Sequence, residues 1–129
     1  MFARFFNWIK RERAWNRSHS LAWHGWTKPE ADGWSRWQRS CESAVTRKLY
    51  ELQRTVSERR EHRGEECHIE TKIAESDLTL WIYADGANLD GHDVDIRLEY
   101  WDAESPALLC DKFCSALENA LLRPRAGAV

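Results

Sequence analysis

The sequence predicts a single α+β domain in which helices pack on a three-stranded antiparallel β-meander. Two observations predict this class. In the first half, apolar residues recur every three or four positions, as they do along one face of a helix. In the second half, they alternate with polar residues, as they do in a strand with one buried face. The expected order is helix, helix, strand, strand, strand, helix.

The first 26 residues are predicted to form a tryptophan-rich N-terminal arm with one short amphipathic helix. Phenylalanines at positions 2, 5 and 6 and an isoleucine at position 9 have helical spacing, and basic residues lie between them. Six of the eight tryptophans lie within the first 37 residues. We expect this arm either to cover part of the domain or to present a basic, aromatic surface.

An apolar stripe predicts one long helix over residues 27–63. A capping box formed by Thr27 and Glu30 is expected near its start, and the helix is expected to reach about Arg60 or His62 and to stop before Gly64. The stripe advances by three or four residues at each step and consists of Trp34, Trp37, Cys41, Val45, Leu49, Leu52 and Val56.

Residues 64–122 are predicted to form three strands followed by a closing helix. The strands are expected at 67–74, 78–84 and 93–101, and the turn formers between 85 and 91 are expected to form a loop. The side chains expected to be buried against the long helix are Ile69, Leu80, Ile82, Ile96 and Leu98.

Ser105 followed by Pro106 predicts the start of the closing helix, because serine caps helices and proline suits the first helical position. The helix is expected to end at Arg123, which precedes a proline. Residues 123–129 are expected to be a disordered tail.

The net charge of −2 conceals two halves of opposite sign. Residues 1–63 contain 14 lysines and arginines against 7 acidic residues, whereas residues 64–129 contain 5 against 14. The opposite charges of the two halves either neutralise each other through internal salt bridges or leave a basic and an acidic surface for different partners.

The sequence contains no recognisable catalytic signature. We find no nucleophile elbow and no glycine-rich phosphate loop. Cys110 and Cys114 fall on the apolar stripe of the closing helix, so we interpret them as packed thiols and expect neither a metal nor another cofactor. Glu70 and Asp93 resemble the carboxylates of metal-dependent nucleases, but their order along the chain does not fit. A protein without catalytic activity is the favoured interpretation.

The solvent-facing side of the predicted sheet combines aromatic and acidic residues. Large aromatic side chains at such positions are either covered by another segment, here the arm, or serve as anchors for another protein, because interface centres favour Trp and Tyr. The predicted partner-binding residues are Trp81, Tyr83, Asp90, Asp93, Asp95, Glu99, Trp101 and Asp102.

These features favour a non-enzymatic inhibitor that binds a basic protein, such as a toxin or a nuclease. Small size, the lack of a catalytic signature and an acidic aromatic surface are together similar to the general profile of bacterial toxin-immunity proteins and antitoxins, although no sequence motif is shared. In such proteins, acidic groups accelerate association and aromatic anchors slow dissociation. A phage-encoded inhibitor of a host nuclease would have the same profile. A nucleic-acid-binding module that uses the basic, Trp-rich half is a second hypothesis, and a metal-dependent enzyme is a third.

We expect a cytoplasmic protein that does not interact with a membrane. No stretch approaches the roughly 20 apolar residues that a bilayer span requires. No secretory signal is recognisable either, because the basic residues near the N-terminus are not followed by an uninterrupted apolar segment.

Overall fold

The computed structural model describes residues 28–63 and 67–123. Two consecutive helices come first, a run of five strands follows, and a 3-10 turn and a long helix complete the described chain. The elements are α1 (Lys28–Ser35), α2 (Trp37–Glu51), β1 (Val56–His62), β2 (His68–Ile73), β3 (Thr79–Tyr83), β4 (Gly86–Asp90), β5 (Asp95–Glu99), the 3-10 turn Tyr100–Asp102 and α3 (Pro106–Leu122).

The strands form one five-stranded antiparallel sheet in the order β1-β2-β3-β4-β5. The α+β class agrees with the prediction, but the predicted three-stranded meander is wrong. Strands β2, β3 and β5 correspond to the three predicted strands. Strand β1 occupies residues predicted as helix, and β4 occupies residues predicted as a loop.

The prediction of one long helix over residues 27–63 is wrong, because the chain forms two helices, α1 and α2, which are separated at Arg36. Helix α2 ends at Glu51, well before the predicted end near Arg60 or His62. Gln53 takes a left-handed conformation with φ 56°. Its N–H donates to the Tyr50 carbonyl at 3.1 Å, and the Arg54 N–H donates to the Leu49 carbonyl at 2.8 Å. This pair of bonds is a Schellman motif, which satisfies the last helical carbonyls and turns the chain into β1. Glutamine stands where glycine is usual, so the sequence carries no stop signal here.

Strand β1 was not predicted because its sequence, VSERREH, is mostly charged and lacks the alternation of apolar and polar residues that is typical of a strand. It is an edge strand, and its register places Arg59 opposite Thr71, on the face covered by the helices. From there Arg59 makes a two-pronged ion pair with Glu42 of α2, at 2.6 and 3.0 Å. Charged residues protect a sheet edge from pairing with other chains, and they also erase the apolar alternation of a strand.

Strand β4 differs from the predicted loop although it begins with glycine and contains Asn and Asp, which are typical of turns. Gly86 is required by a close approach of strands, since a Cβ at this position would lie 2.3 Å from the Leu98 carbonyl oxygen of β5. The Trp37 indole N–H donates to the carbonyls of Tyr83 and Gly86, at 2.8 and 3.3 Å, and so ties α2 to the β3–β4 turn.

The core lies between one face of the sheet and the helices α2 and α3. The predicted stripe is buried from Trp34 to Leu49. Of the side chains expected in the core, those of β2 and β3 are buried, whereas Ile96 and Leu98 on β5 are half-buried. The predicted closing helix is confirmed, and the Ser105 hydroxyl accepts the Leu108 N–H at 3.2 Å as its N-cap.

Several predictions lie outside what the structure describes: the arm over residues 1–26, the capping box of Thr27 and Glu30, the stop at Gly64 and the tail beyond residue 123. Within the described ranges, no helix has both the length and the apolar character needed to cross a membrane.

Candidate functional sites

The face of the sheet that points away from α2 and α3, here called the outer face, carries five of the eight predicted partner-binding residues. Antiparallel register aligns its side chains in rows across the strands. The predicted residues on the outer face are Trp81, Tyr83, Asp90, Asp95 and Glu99.

Trp81 lies half-buried in the middle of the outer face, between Glu70 of β2 and Asn88 of β4. Burial raises the pKa of Glu70, but hydrogen bonds from His62 and Trp81 outweigh it, so the pKa of this carboxyl lies below its usual range. Trp81 thus contributes, after His62, to the lowered pKa of Glu70, an interaction that the sequence does not indicate.

Asp90 and Asp95 face each other across β4 and β5. Burial, and then the neighbouring charge of Asp95, raise the pKa of Asp90. Arg97 lies 3.5 Å from the Asp95 carboxylate and offsets part of this repulsion. The acidic character of this end of the face is therefore partly neutralised within the sheet.

The structure separates the remaining predicted residues from the outer face, because β5 is shorter than expected. Asp93 lies in the β4–β5 turn, where its carbonyl accepts a hydrogen bond from Arg123 at 3.1 Å. Trp101 and Asp102 lie past the opposite end of β5, in the 3-10 turn. Asp93 and Trp101 thus do not share a surface.

The 3-10 turn holds Trp101 in an exposed position. The Asp102 carboxylate accepts the Glu99 N–H at 2.7 Å, and the Asp102 carbonyl accepts a hydrogen bond from Lys112 of α3 at 2.6 Å. Tyr100 packs against the core and meets the Trp101 ring edge-on at 4.9 Å. Although the turn is fixed on these sides, 64% of Trp101 is exposed.

A surface groove begins at Trp101 and follows one side of α3; we call it the carboxyl-terminal groove. Leu108, 46% exposed, is its second large apolar residue. Three carboxylates and one lysine line it, and this lysine already binds the Asp102 carbonyl. The lining residues are Trp101, Asp102, Ala103, Glu104, Leu108, Asp111, Lys112, Ser115, Ala116 and Asn119.

Sequence reasoning missed Leu108, Glu104 and Asp111 as candidate binding residues. The signal for Leu108 was present, because this apolar residue stands beside Leu109, which belongs to the buried face of α3. Adjacent helical residues point about 100° apart, so both cannot lie on the same face.

A different cluster lies at the β1 end of the outer face. His62 and His68 are cross-strand partners whose rings stack with centroids 4.3 Å apart and planes 13° apart. His62 Nε2 lies 3.1 Å from Glu70 Oε1. One ligand atom from each of the three residues falls within 4.8 Å of the other two. The sequence does not indicate this cluster, since its pattern predicts His62 in a helix.

The four cysteines are free, and three of them meet between α2 and α3. Hydrogen bonding to Cys110, followed by burial, raises the pKa of Cys41. Hydrogen bonds from Cys114 and Cys41 lower the pKa of Cys110. Cys41 lies on the predicted buried stripe, whereas Cys110 and Cys114 are half-buried at its margin.

Comparison with family models, with curated proteins and with solved structures found no match to this chain.

Proposed function

We propose that the protein is a non-enzymatic inhibitor of the toxin-immunity or antitoxin type, which binds a basic protein through the carboxyl-terminal groove. The observation that carries the proposal is Trp101, which is 64% exposed although its turn is fixed by two hydrogen bonds to Asp102. An exposed aromatic side chain on a preorganised turn loses little conformational entropy when a partner covers it.

The chemistry of the groove favours a cationic partner. Trp101 and Leu108 supply apolar contact area, and Asp102, Glu104 and Asp111 surround them with negative charge. Central aromatic anchors dominate binding energy, whereas charges at the rim mainly accelerate association with a partner of opposite sign. A toxin or nuclease with a basic substrate-binding surface has the complementary charge.

On strand β1, two basic residues offer less support for nucleic-acid binding, because both already pair with carboxylates. Arg59 pairs with Glu42, and Arg60 pairs with Glu58 at 2.6 Å. Phosphate binding by such residues has to replace these internal ion pairs.

The proposal is tested with the full chain as bait and quantitative mass spectrometry of the captured proteins. Trp101→Ala should abolish capture of one basic protein. Tyr50→Ala is the matched control and should not affect capture, because Tyr50 is an aromatic residue, 85% exposed, that lies on α2 and outside the groove. With that protein purified, Trp101→Ala should raise the dissociation rate about 30-fold, which corresponds to about 2 kcal/mol. The parent chain should also inhibit its activity.

Charge reversal at Glu104 and Asp111 should chiefly slow association and weaken its dependence on salt. Glu61→Lys on β1, at the opposite edge of the sheet, is the matched control and should leave the association rate unchanged. Equal binding by the parent, Trp101→Ala and the groove charge variants would contradict the proposal. Tight binding of generic DNA or RNA with a steep salt dependence would instead support a nucleic-acid-binding module.

A further inference from the structure

We propose that His62, His68 and Glu70 form a zinc-binding site on the outer face of the β1–β2 hairpin. The site is independent of the carboxyl-terminal groove, since β1 and β5 are the opposite edges of the sheet. Two imidazoles and one carboxylate are a ligand set that Zn²⁺ accepts, and such a set leaves a fourth tetrahedral position for water or another ligand.

The strand register brings the three ligands together without requiring any backbone movement. His62 and His68 are directly opposed on β1 and β2, and Glu70 follows two residues along β2 on the same face. Ligand atoms of a tetrahedral zinc site with Zn–N bonds of about 2.0–2.1 Å lie roughly 3.3 Å apart. The 3.1 Å distance from His62 Nε2 to Glu70 Oε1 already meets this spacing. The remaining separations, at most 4.8 Å, close by rotation of side chains.

The surrounding charges leave Glu70 oriented toward the histidines. Arg60 stands opposite Glu70 in the register, yet it makes its ion pair with Glu58 at 2.6 Å. Lys72 likewise pairs with Glu58, at 3.5 Å. Glu58 thus pairs with both Arg60 and Lys72. The Glu70 carboxylate lies against the imidazole of His62.

Trp81 acts as a positioning residue for this site. It stands beside Glu70 in the register of β2 and β3, on the same face of the sheet, so its indole N–H can donate a hydrogen bond to the Glu70 carboxylate. Hydrogen bonds of this kind orient metal ligands, and their loss typically weakens metal binding about 10–100-fold. A zinc ion on these ligands would join edge strand β1 to β2 at the end of the hairpin.

The test is a titration of the tag-free full chain with Zn²⁺ by calorimetry, followed by substitution with Co²⁺ for spectroscopy. His62→Gln and His68→Gln should each weaken Zn²⁺ binding more than tenfold, and Trp81→Phe about tenfold. His92→Gln is the matched control, since this exposed histidine lies in the β4–β5 turn, and it should bind like the parent.

Thermal unfolding provides a second measurement, because an ion that binds only the folded chain raises the unfolding temperature. Zinc should raise it for the parent and for His92→Gln but not for His62→Gln. The Co²⁺ complex should lack an intense thiolate charge-transfer band, which distinguishes this site from the cysteine cluster between α2 and α3. Unchanged affinity in both His62→Gln and His68→Gln, or a thiolate band that persists in them, would overturn the proposal.

Discussion

At the scale of single residues, Gln53 marks where helix α2 ends. It occupies the left-handed region with φ 56°, and two hydrogen bonds around it close the helix. A side chain with a Cβ costs roughly 1–2 kcal/mol in this conformation, whereas glycine adopts it freely. The chain therefore places a conformational cost at the junction between α2 and β1.

Gln53→Gly is expected to stabilise the protein by about 0.5–1 kcal/mol, because relief of the left-handed strain exceeds the added entropy of the unfolded chain. Urea unfolding monitored by tryptophan fluorescence measures the difference. Gln53→Ala serves as control, since alanine retains the Cβ and should change the free energy of unfolding little. Equal stabilisation by alanine and glycine would contradict this explanation.

At the scale of elements, β4 depends on the absence of a side chain at its first residue. A Cβ on Gly86 would meet backbone of β5 at 2.3 Å, and backbone cannot withdraw as a flexible side chain can. Gly86→Ala is therefore expected to destabilise the protein by about 1–3 kcal/mol. Gly33→Ala is the contrasting variant, since its Cβ would find its nearest contact, Pro106, at 3.8 Å.

Gly33 lies within α1, so alanine there should stabilise the helix by about 0.5–1 kcal/mol. Thermal unfolding of the two variants and the parent tests both expectations: the unfolding temperature should fall for Gly86→Ala and rise for Gly33→Ala. If Gly86→Ala unfolds at the temperature of the parent, the close approach of β4 and β5 does not constrain this position.

The elements differ in how far the sequence could predict them. Helix α3 was predictable because its apolar face and its Ser105 cap are local signals. Strand β1 was not, because its pattern depends on Arg59 reaching Glu42 on another element. Strand β4 was hidden by residues typical of turns, and its pairing with β3 and β5 outweighs their low strand propensity.

The candidate sites likewise depend on contacts between elements, which the sequence alone does not give. Trp101 is a candidate partner-binding residue because strand alternation predicts it on the solvent-facing side of the sheet, whereas the structure places it in the 3-10 turn beyond β5. The pairing of His62 with His68 requires the register of a strand whose residues have the pattern of a helix. Leu108 enters the carboxyl-terminal groove only once the direction of the buried face of α3 is known.

At the scale of the whole molecule, the opposite charges of the two halves are only partly neutralised within the described chain. Arg59 and Arg60 pair with carboxylates of the same basic half. A contact that does join the halves is Lys48 with Glu118, at 3.4 Å. Much of the acidic second half, the carboxyl-terminal groove included, therefore faces solvent.

This arrangement predicts that salt affects binding more than folding. The ion pairs of the described chain are largely exposed, and exposed pairs contribute about 0–1 kcal/mol each. Raising NaCl from about 0.05 to 0.5 M, which shortens the screening length severalfold, should change the free energy of unfolding by less than about 1 kcal/mol. Association with a basic partner should slow markedly over the same range. Denaturant unfolding and stopped-flow mixing measure the two effects. A large loss of stability in salt would show instead that the halves neutralise each other internally, and the acidic groove would then have less charge to offer a partner.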